Sequence, residues 1–204
     1  ALTKLSESRD DETGAHIERV SELCKILAEK LRQNKIFTDY ITDNYIDNLS
    51  KASALHDIGK VGIPDNILLK PGKLTPEEFN IIKQHPTIGS NILAEIQAKY
   101  PNNKFLALGY NIVHYHHEKW DGSGYPNGLA KDKIPLSARI MALVDVYDAL
   151  RSKRVYKDAY SHEKCLDIIK QGRGSHFDPM LVDVFLENEV LFRKTFDQIT
   201  ERVN

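Results

Sequence analysis

The chain has 204 residues, which suits one domain with a well-buried core. Apolar residues make up 41% and charged residues 28%, the balance of a soluble globular protein. Because 28 lysines and arginines nearly cancel 29 aspartates and glutamates, no global field attracts nucleic acid or an anionic membrane. Any basic site must therefore be local.

Apolar runs, the start of the chain and the cysteines indicate the cellular context that we expect. No run of about 18 apolar residues and no basic-then-apolar leader occurs, so we expect neither a membrane span nor a signal peptide. The chain begins with Ala rather than Met and enters a charged helical pattern at once, which suggests a piece of a longer protein. Cys24 and Cys165 lie far apart in helical patterns, so we expect buried thiols without a disulfide, as in a reducing cytoplasm. We treat residues 1–204 as a single domain.

The first half of the chain has apolar residues at steps of three and four. Residues 17–31 carry one such stripe, which predicts a helix. A second helix is predicted from Asp39 to His56, with Gly59 placed to end it. Residues 61–74 contain two prolines and read as an ordered loop.

The next helices are marked by their ends. Thr75 to Glu78 combine an N-cap, a proline at the first helical position and a capping-box glutamate, which predicts a helix to about Gln84. Further helices are predicted at 87–99 and 105–116. A polar, glycine-rich loop follows at 120–135.

The last third is also helical. Residues 137–151 are apolar on most sides, which predicts a central, buried helix. Ser161 caps another helix that Gly172 closes, and Asp178-Pro179 starts a last one toward Thr200. Since period-two alternation is nearly absent, we predict an all-α, single-domain helical bundle of about seven to nine helices.

Six of the eight histidines fall in groups with acidic neighbours. Five groups of this kind carry the candidate chemistry: Glu12 with His16; His56 and Asp57 followed by Lys60; His85 before Pro86; His114, His116, His117 and Glu118; and Asp145.

Several members of these groups have a structural interpretation of their own. Glu12 and His16, at i and i+4, suit a surface pair, and His85 suits a helix end. His114 points away from His116 on a helix, so we predict a structural role for it. Asp145 is different, because a carboxylate in so apolar a helix is costly to bury without a cation or hydrogen-bond donors. Asp148, one turn on, is expected to cap or pair locally.

Imidazole and carboxylate together favour iron, manganese, zinc or nickel over calcium or magnesium. Adjacent ligands such as His56-Asp57 and His116-His117 can reach two different metals, or two faces of one. A carboxylate can bridge two ions, so Asp57 is the natural bridging candidate. Paired ions can activate a shared water for an in-line phosphoryl displacement.

The motifs, taken in order, resemble the HD-GYP domain, a branch of the HD phosphohydrolase superfamily. The resemblance rests on residues 56–60 (HDIGK) and 116–126 (HHEKWDGSGYP), with supporting similarity at residues 12–16, 139–150, 154–157 and 176–179. Val155 stands where the family usually has proline. The match covers roughly residues 5 to 190 in the family's order and spacing.

The resemblance implies a bacterial helical-bundle phosphodiesterase that hydrolyses cyclic di-GMP to pGpG or, after a second cut, GMP. Some members act on cyclic GMP-AMP, and some serve as sensors after losing ligands. The implied metal ligands are Glu12, His16, His56, Asp57, His85, His116, His117 and Asp145. Glu12 holds a position associated with a third metal, so the resemblance implies two or three divalent ions, iron first, with manganese, nickel or zinc as alternatives.

A cyclic dinucleotide carries two phosphates, so cations should line its pocket. Lys60 is placed to direct its ammonium at the scissile phosphate. Arg154 and Lys157 resemble the family's phosphate-binding pair, and Arg139 is a further candidate. Tyr125 could stack on guanine or bind a phosphate.

We expect catalysis to depend on Asp57 and Lys60. Asp57 and a hydroxide would bridge the metals, and Lys60 would offset developing charge. Two alternatives stay open: another nucleotide phosphohydrolase, and a cyclic-dinucleotide sensor or interaction module with little turnover. The resemblance also implies a partner-binding surface at Gly122–Pro126 and leaves a homodimer open. It places the domain in the bacterial cytoplasm.

Overall fold

The computed structural model describes residues 14–153 and 158–203, and these ranges are helical, with no β-strand. Nine of their α-helices have seven or more residues, which confirms the all-α prediction. In chain order the helices are α1 (Gly14–Gln33), α2 (Asp43–Ser53), α3 (Asp65–Leu68), α4 (Pro76–Ile82), α5 (His85–Lys99), α6 (Lys104–Tyr115), α7 (Leu136–Arg151), α8 (His162–Gln171), α9 (Pro179–Glu187) and α10 (Glu189–Val203), with 3₁₀ helices at Ile58–Gly62 and Lys131–Lys133.

The main hydrophobic core forms around α1 and α7. Val20 and Leu27 of α1, Ile140 and Val144 of α7, and Phe185 of α9 are each fully buried in one cluster. Burial of each such side chain contributes about 1.5–3 kcal/mol relative to its exposed state. As predicted, α7 is central, so any polar side chain that it carries is held on a fixed support.

A smaller cluster packs beneath the first 3₁₀ helix. Leu55 and Ile58 contact residues of α5 and α6, among them Leu93 and Val113. The segment 55–62 is therefore fixed between the ends of these helices and the main core.

One predicted boundary was wrong around Gly59. Helix α2 ends at Ser53, and Gly59 lies inside the 3₁₀ helix rather than at a helix end. A Cβ atom on Gly59 would lie 1.9 Å from the carbonyl oxygen of His85 and 2.6 Å from the amide nitrogen of Gly89. This glycine is required because two backbones meet there, which the local pattern did not reveal.

Two other boundaries also differ from prediction. Pro86 lies in the first turn of α5, where a missing N–H costs nothing, so His85 begins a helix rather than ending one. The predicted helix from Asp178 to Thr200 is broken at Asn188, whose backbone leaves the helical region and whose side chain donates to the carbonyl of Val184.

The predicted caps are confirmed. Thr75 and Glu78 form a reciprocal capping box, and the Ser161 hydroxyl accepts from the amide of Lys164, with Gly172 as C-cap. Both cysteines are buried and form no disulfide. Within the ranges that the structure describes, no helix is long and apolar enough to cross a membrane.

Candidate metal centre

Seven of the eight proposed ligands lie together in two groups. Within each group, ligand atoms lie within 4.8 Å of one another. One group is Asp57, His85, His116 and His117, and the other is His16, His56 and Asp145. Glu12 lies outside the described residues.

Asp57 lies between the two groups. Its Oδ2 is 3.2 Å from His56 Nε2, in the second group. Its Oδ1 is 3.0 Å from His85 Nε2 and 3.6 Å from His116 Nε2, in its own group. One carboxylate oxygen therefore faces each group, the arrangement that a bridging ligand needs.

The ligands come from five places in the fold. His16 and Asp145 lie within α1 and α7, where core packing fixes the helices. His56 and Asp57 occupy the turn between α2 and the 3₁₀ helix. His85 begins α5, and His116 and His117 follow the end of α6. Residues distant in sequence are thus brought together by the packing of these helices.

Three histidines are oriented by backbone carbonyls. The Nδ1 atoms of His56 and His85 lie 2.9 Å and 2.7 Å from the carbonyl oxygens of Ser53 and Ile82. His116 Nδ1 lies 3.0 Å from that of Ile112. Since a carbonyl only accepts, Nδ1 carries the proton and Nε2 offers its lone pair to the centre.

His16 is oriented by a carboxylate. Its Nδ1 lies 2.8 Å from Asp148 Oδ2, and the Arg19 guanidinium donates to both oxygens of Asp148 at 2.5 Å and 2.9 Å. Burial raises the pKa of Asp148, but the hydrogen bonds from Arg19 and His16 outweigh it and hold that pKa below its usual value. The expectation that Asp148 caps or pairs locally was wrong. Its main partners, His16 and Arg19, lie on α1, so Asp148 joins α7 to α1.

The electrostatics favour the protonation states that bind metals. Burial raises the pKa of Asp57, yet the positive charge of Lys60 and the neighbouring rings of His56 and His116 hold it well below its usual value. Burial lowers the pKa of His116. Burial also holds the pKa of His117 well below its usual value, and the neighbouring rings of His116 and His85 add to this effect. An ionised carboxylate and neutral imidazoles are the forms that ligate divalent ions.

A cavity of about 390 Å³ opens above these groups. Asp57, His85, His117 and Asp145 line one side, together with Lys60, whose Nζ lies 2.8 Å from Asp57 Oδ2. The donor set is buried except for His117 and Asp145, which are partly exposed, and it mixes imidazole with carboxylate, so it fits divalent transition metals.

Tyr125 forms part of the cavity wall. Its ring stacks on that of His117, with centroids 4.8 Å apart and planes at 23°. Burial, with the charges of Asp57 and Asp145, raises the pKa of Tyr125, so its hydroxyl stays protonated. The phenol can therefore donate a hydrogen bond into the cavity.

Arg139, another predicted substrate-binding residue, is not among the described residues that line this cavity. Arg139 donates to Asp178 at 2.7 Å, and its guanidinium lies over the rings of Phe37 and Trp120. Arg154 and Lys157 lie outside the described residues.

Sequence reasoning missed the role of Glu118. This carboxylate is 2% exposed and accepts from the backbone amides of Asn127 and Leu129 at 2.7 Å and 3.0 Å. His114 reaches the same loop: its ring lies 2.7 Å from Ser90 Oγ and 2.8 Å from Asn127 Oδ1. Together they fix the loop that carries Tyr125. In the sequence, the one signal that singles out Glu118 is its position directly after the proposed ligands His116 and His117.

The chain is similar in sequence to named bacterial proteins over most of its length. The chain is 54% identical over 192 residues to a cyclic di-GMP phosphodiesterase of Vibrio cholerae serotype O1, covering 94% of this chain and 39% of that protein. It is 44% identical over 203 residues to a cyclic di-GMP phosphodiesterase of Thermotoga maritima, covering 98% and 52%. The chain thus spans about two fifths to half of these relatives.

A solved structure shows the same fold. An HDG"Y"P protein from Bdellovibrio bacteriovorus superposes with a TM-score of 0.58 at 20% identity, over 86% of this chain and 52% of that one. A sequence model described as the HD domain matches residues 2–181. Because that match covers most of the chain, this protein belongs to the HD domain family.

Proposed function

We propose that this chain is a metal-dependent phosphodiesterase that hydrolyses cyclic di-GMP to linear pGpG and, after a second cut, to GMP. The observation that carries the proposal is the position of Asp57, between two groups of ligand atoms and beside Lys60 at one cavity. The named activity of the relatives in Vibrio cholerae and Thermotoga maritima supports the choice of substrate.

Two or three divalent ions would occupy the centre, iron first, with manganese, nickel or zinc as alternatives. His16, His56 and Asp145 would hold one ion, and Asp57, His85, His116 and His117 another, with Asp57 shared. Glu12 would contribute to a third. When bound, these ions supply Lewis acidity to the phosphate and to an attacking water.

Lys60, Tyr125 and Asp57 have separate tasks. The Lys60 ammonium, 16% exposed and beside Asp57, offsets negative charge that develops on a phosphate oxygen. Tyr125, held on His117, donates its hydroxyl to the substrate and excludes water from one side. Asp57 stays ionised throughout. Arg154 and Lys157 stay proposed ligands of the second phosphate.

We place the reaction in the bacterial cytoplasm, because the substrate is an intracellular messenger and both cysteines are thiols without a disulfide. The loop Gly122–Pro126 remains the proposed surface for a protein partner, and a homodimer remains compatible with the fold.

The test uses purified protein loaded with Fe(II) or Mn(II) under reducing conditions. Cyclic di-GMP should be converted to pGpG, and Asp57→Ala should abolish turnover. Asp47→Ala is the matched control, because Asp47 is exposed and pairs on the surface with Lys51. Its turnover should equal that of the unmodified protein.

Three outcomes would contradict the proposal. No product with filled sites and several metals would refute catalysis. Tight binding of cyclic di-GMP without product over hours would instead identify a sensor. Faster turnover of cyclic GMP-AMP or of deoxynucleoside triphosphates would refute the substrate assignment.

A further inference from the structure

An aromatic and basic rim closes one side of the cavity. Phe79 of α4 lines the same cavity as Asp57 and Asp145, yet it is 45% exposed. Lys83, the C-cap of α4, holds its ammonium 4.8 Å from the centroid of the Phe79 ring and 5.7 Å from that of Tyr125. The cation thus lies within cation–π range of two rings from separate elements.

The wall next to this rim is apolar. Ile82, Val146, Ala149 and Leu150 line the same cavity as Phe79 and the metal-ligand groups. A substrate held here therefore meets both charged groups and apolar side chains. A nucleobase attached to a phosphate matches this combination.

We propose that Phe79 and Lys83 bind one guanine base of the substrate, with Phe79 as the stacking face and Lys83 as donor to the guanine O6 and N7 atoms. The inference rests on the proposed function for the position of the phosphate. Stacking of a base on an aromatic side chain contributes about 1–3 kcal/mol. Guanine offers two acceptors on that edge, whereas adenine offers N7 beside an amino donor, so the ammonium favours guanine.

An ordinary packing role for these residues predicts something different. A phenylalanine and a lysine at i and i+4 on a helix form a stabilising surface pair, and their loss would change stability by a few tenths of a kcal/mol. It would leave nucleotide affinity unchanged. Affinity, rather than stability, therefore separates the two roles.

The experiment compares Phe79→Ala, Phe79→Leu and Lys83→Met with the metal-loaded wild-type protein. Steady-state turnover of cyclic di-GMP and of cyclic di-AMP gives KM and kcat, and a phosphorothioate analogue of cyclic di-GMP gives Kd. Tyr100→Ala is the control, because Tyr100 is 61% exposed and lies outside the cavity lining.

We expect Phe79→Ala to raise KM and Kd for cyclic di-GMP about tenfold, as loss of one stacked base would. Phe79→Leu, which keeps bulk but not the ring, should lose most of the same affinity. Lys83→Met should reduce the preference for cyclic di-GMP over cyclic di-AMP, and Tyr100→Ala should change neither constant.

Folded Phe79 variants whose KM and Kd for cyclic di-GMP stay within twofold of wild type would overturn the stacking site. An unchanged preference in Lys83→Met would overturn the choice of guanine. A change in oligomeric state without a change in affinity would also overturn the proposal, by assigning the rim to self-association. If the wild type binds but never cleaves, the proposed catalysis fails, while a Phe79-dependent Kd still supports the base site.

Discussion

The sharpest prediction concerns Gly59, where two backbones touch. An added Cβ would lie 1.9 Å from the His85 carbonyl oxygen, and ordinary contact begins near 3.4 Å. Gly59→Ala must therefore move the 3₁₀ helix from α5 by about 1.5 Å. No flexible side chain can give way, because the obstructing atoms are backbone. We expect a loss of about 3 kcal/mol in the free energy of unfolding, at the upper end for overpacked sites.

The same displacement reaches the metal centre. Asp57 and His85 lie on the two elements that must separate, and their ligand atoms are 3.0 Å apart. Metal affinity at that group should therefore fall together with stability. Urea unfolding of the metal-free protein measures the first effect, and metal content after dialysis measures the second.

Gly109→Ala is the matched control. Gly109 lies inside α6, and its added Cβ would meet Leu55 at 3.5 Å, an ordinary contact. Alanine is a better helix former than glycine, so this variant should gain about 0.5–1 kcal/mol. If the free energy of unfolding of Gly59→Ala lies within 1 kcal/mol of that of the unmodified protein, the inferred close contact between the two backbones is refuted.

Three further predictions probe the support of the site and the fold. Asp148→Asn should weaken metal binding by His16 about 10- to 100-fold, because the imidazole loses its ionised acceptor; an unchanged metal content at limiting metal would contradict this. Ser161→Ala removes an N-cap hydroxyl and should cost about 1 kcal/mol in urea unfolding, whereas no change would show that α8 does not depend on its cap. Burial and the charge of Lys119 lower the pKa of His176 from 6.5 to about 4, so the unfolded chain takes up this proton first and stability falls as pH drops from 6.5 toward 4. His176→Gln should make that fall shallower in unfolding curves across this range, and an identical slope would refute it.

The sequence predicted the helices because their apolar period and their caps are local signals. Thr75 and Ser161 mark their helices by residues that lie within one turn. Gly59 could not be interpreted in this way. A glycine is required there because of a contact with His85, 26 positions away, and only the assembled fold brings the two residues together.

The proposed ligands were predictable because each motif holds chemically distinctive neighbours, but the sequence left open whether adjacent ligands would share one group. His56 and Asp57 are adjacent in sequence, but His56 falls in a group with His16 and Asp57 in the group with His85. The orientation of each imidazole ring decides which group it joins, and that orientation depends on the atom that its Nδ1 contacts. The carbonyl of Ser53 turns His56, and the carboxylate of Asp148 turns His16.

Arg139 shows the limit of assigning a charged residue by its position in a motif. It lies on α7, as Asp145 does, but its guanidinium is bound to Asp178 at 2.7 Å and stacks over Trp120. Lys83 lies in no motif, yet its ammonium reaches the rim of the cavity. A residue in a motif can thus serve the fold, and a residue outside any motif can lie at the rim of the cavity. Under the proposed function, the cations that can act on a phosphate are those near Asp57, which lies between the two ligand groups.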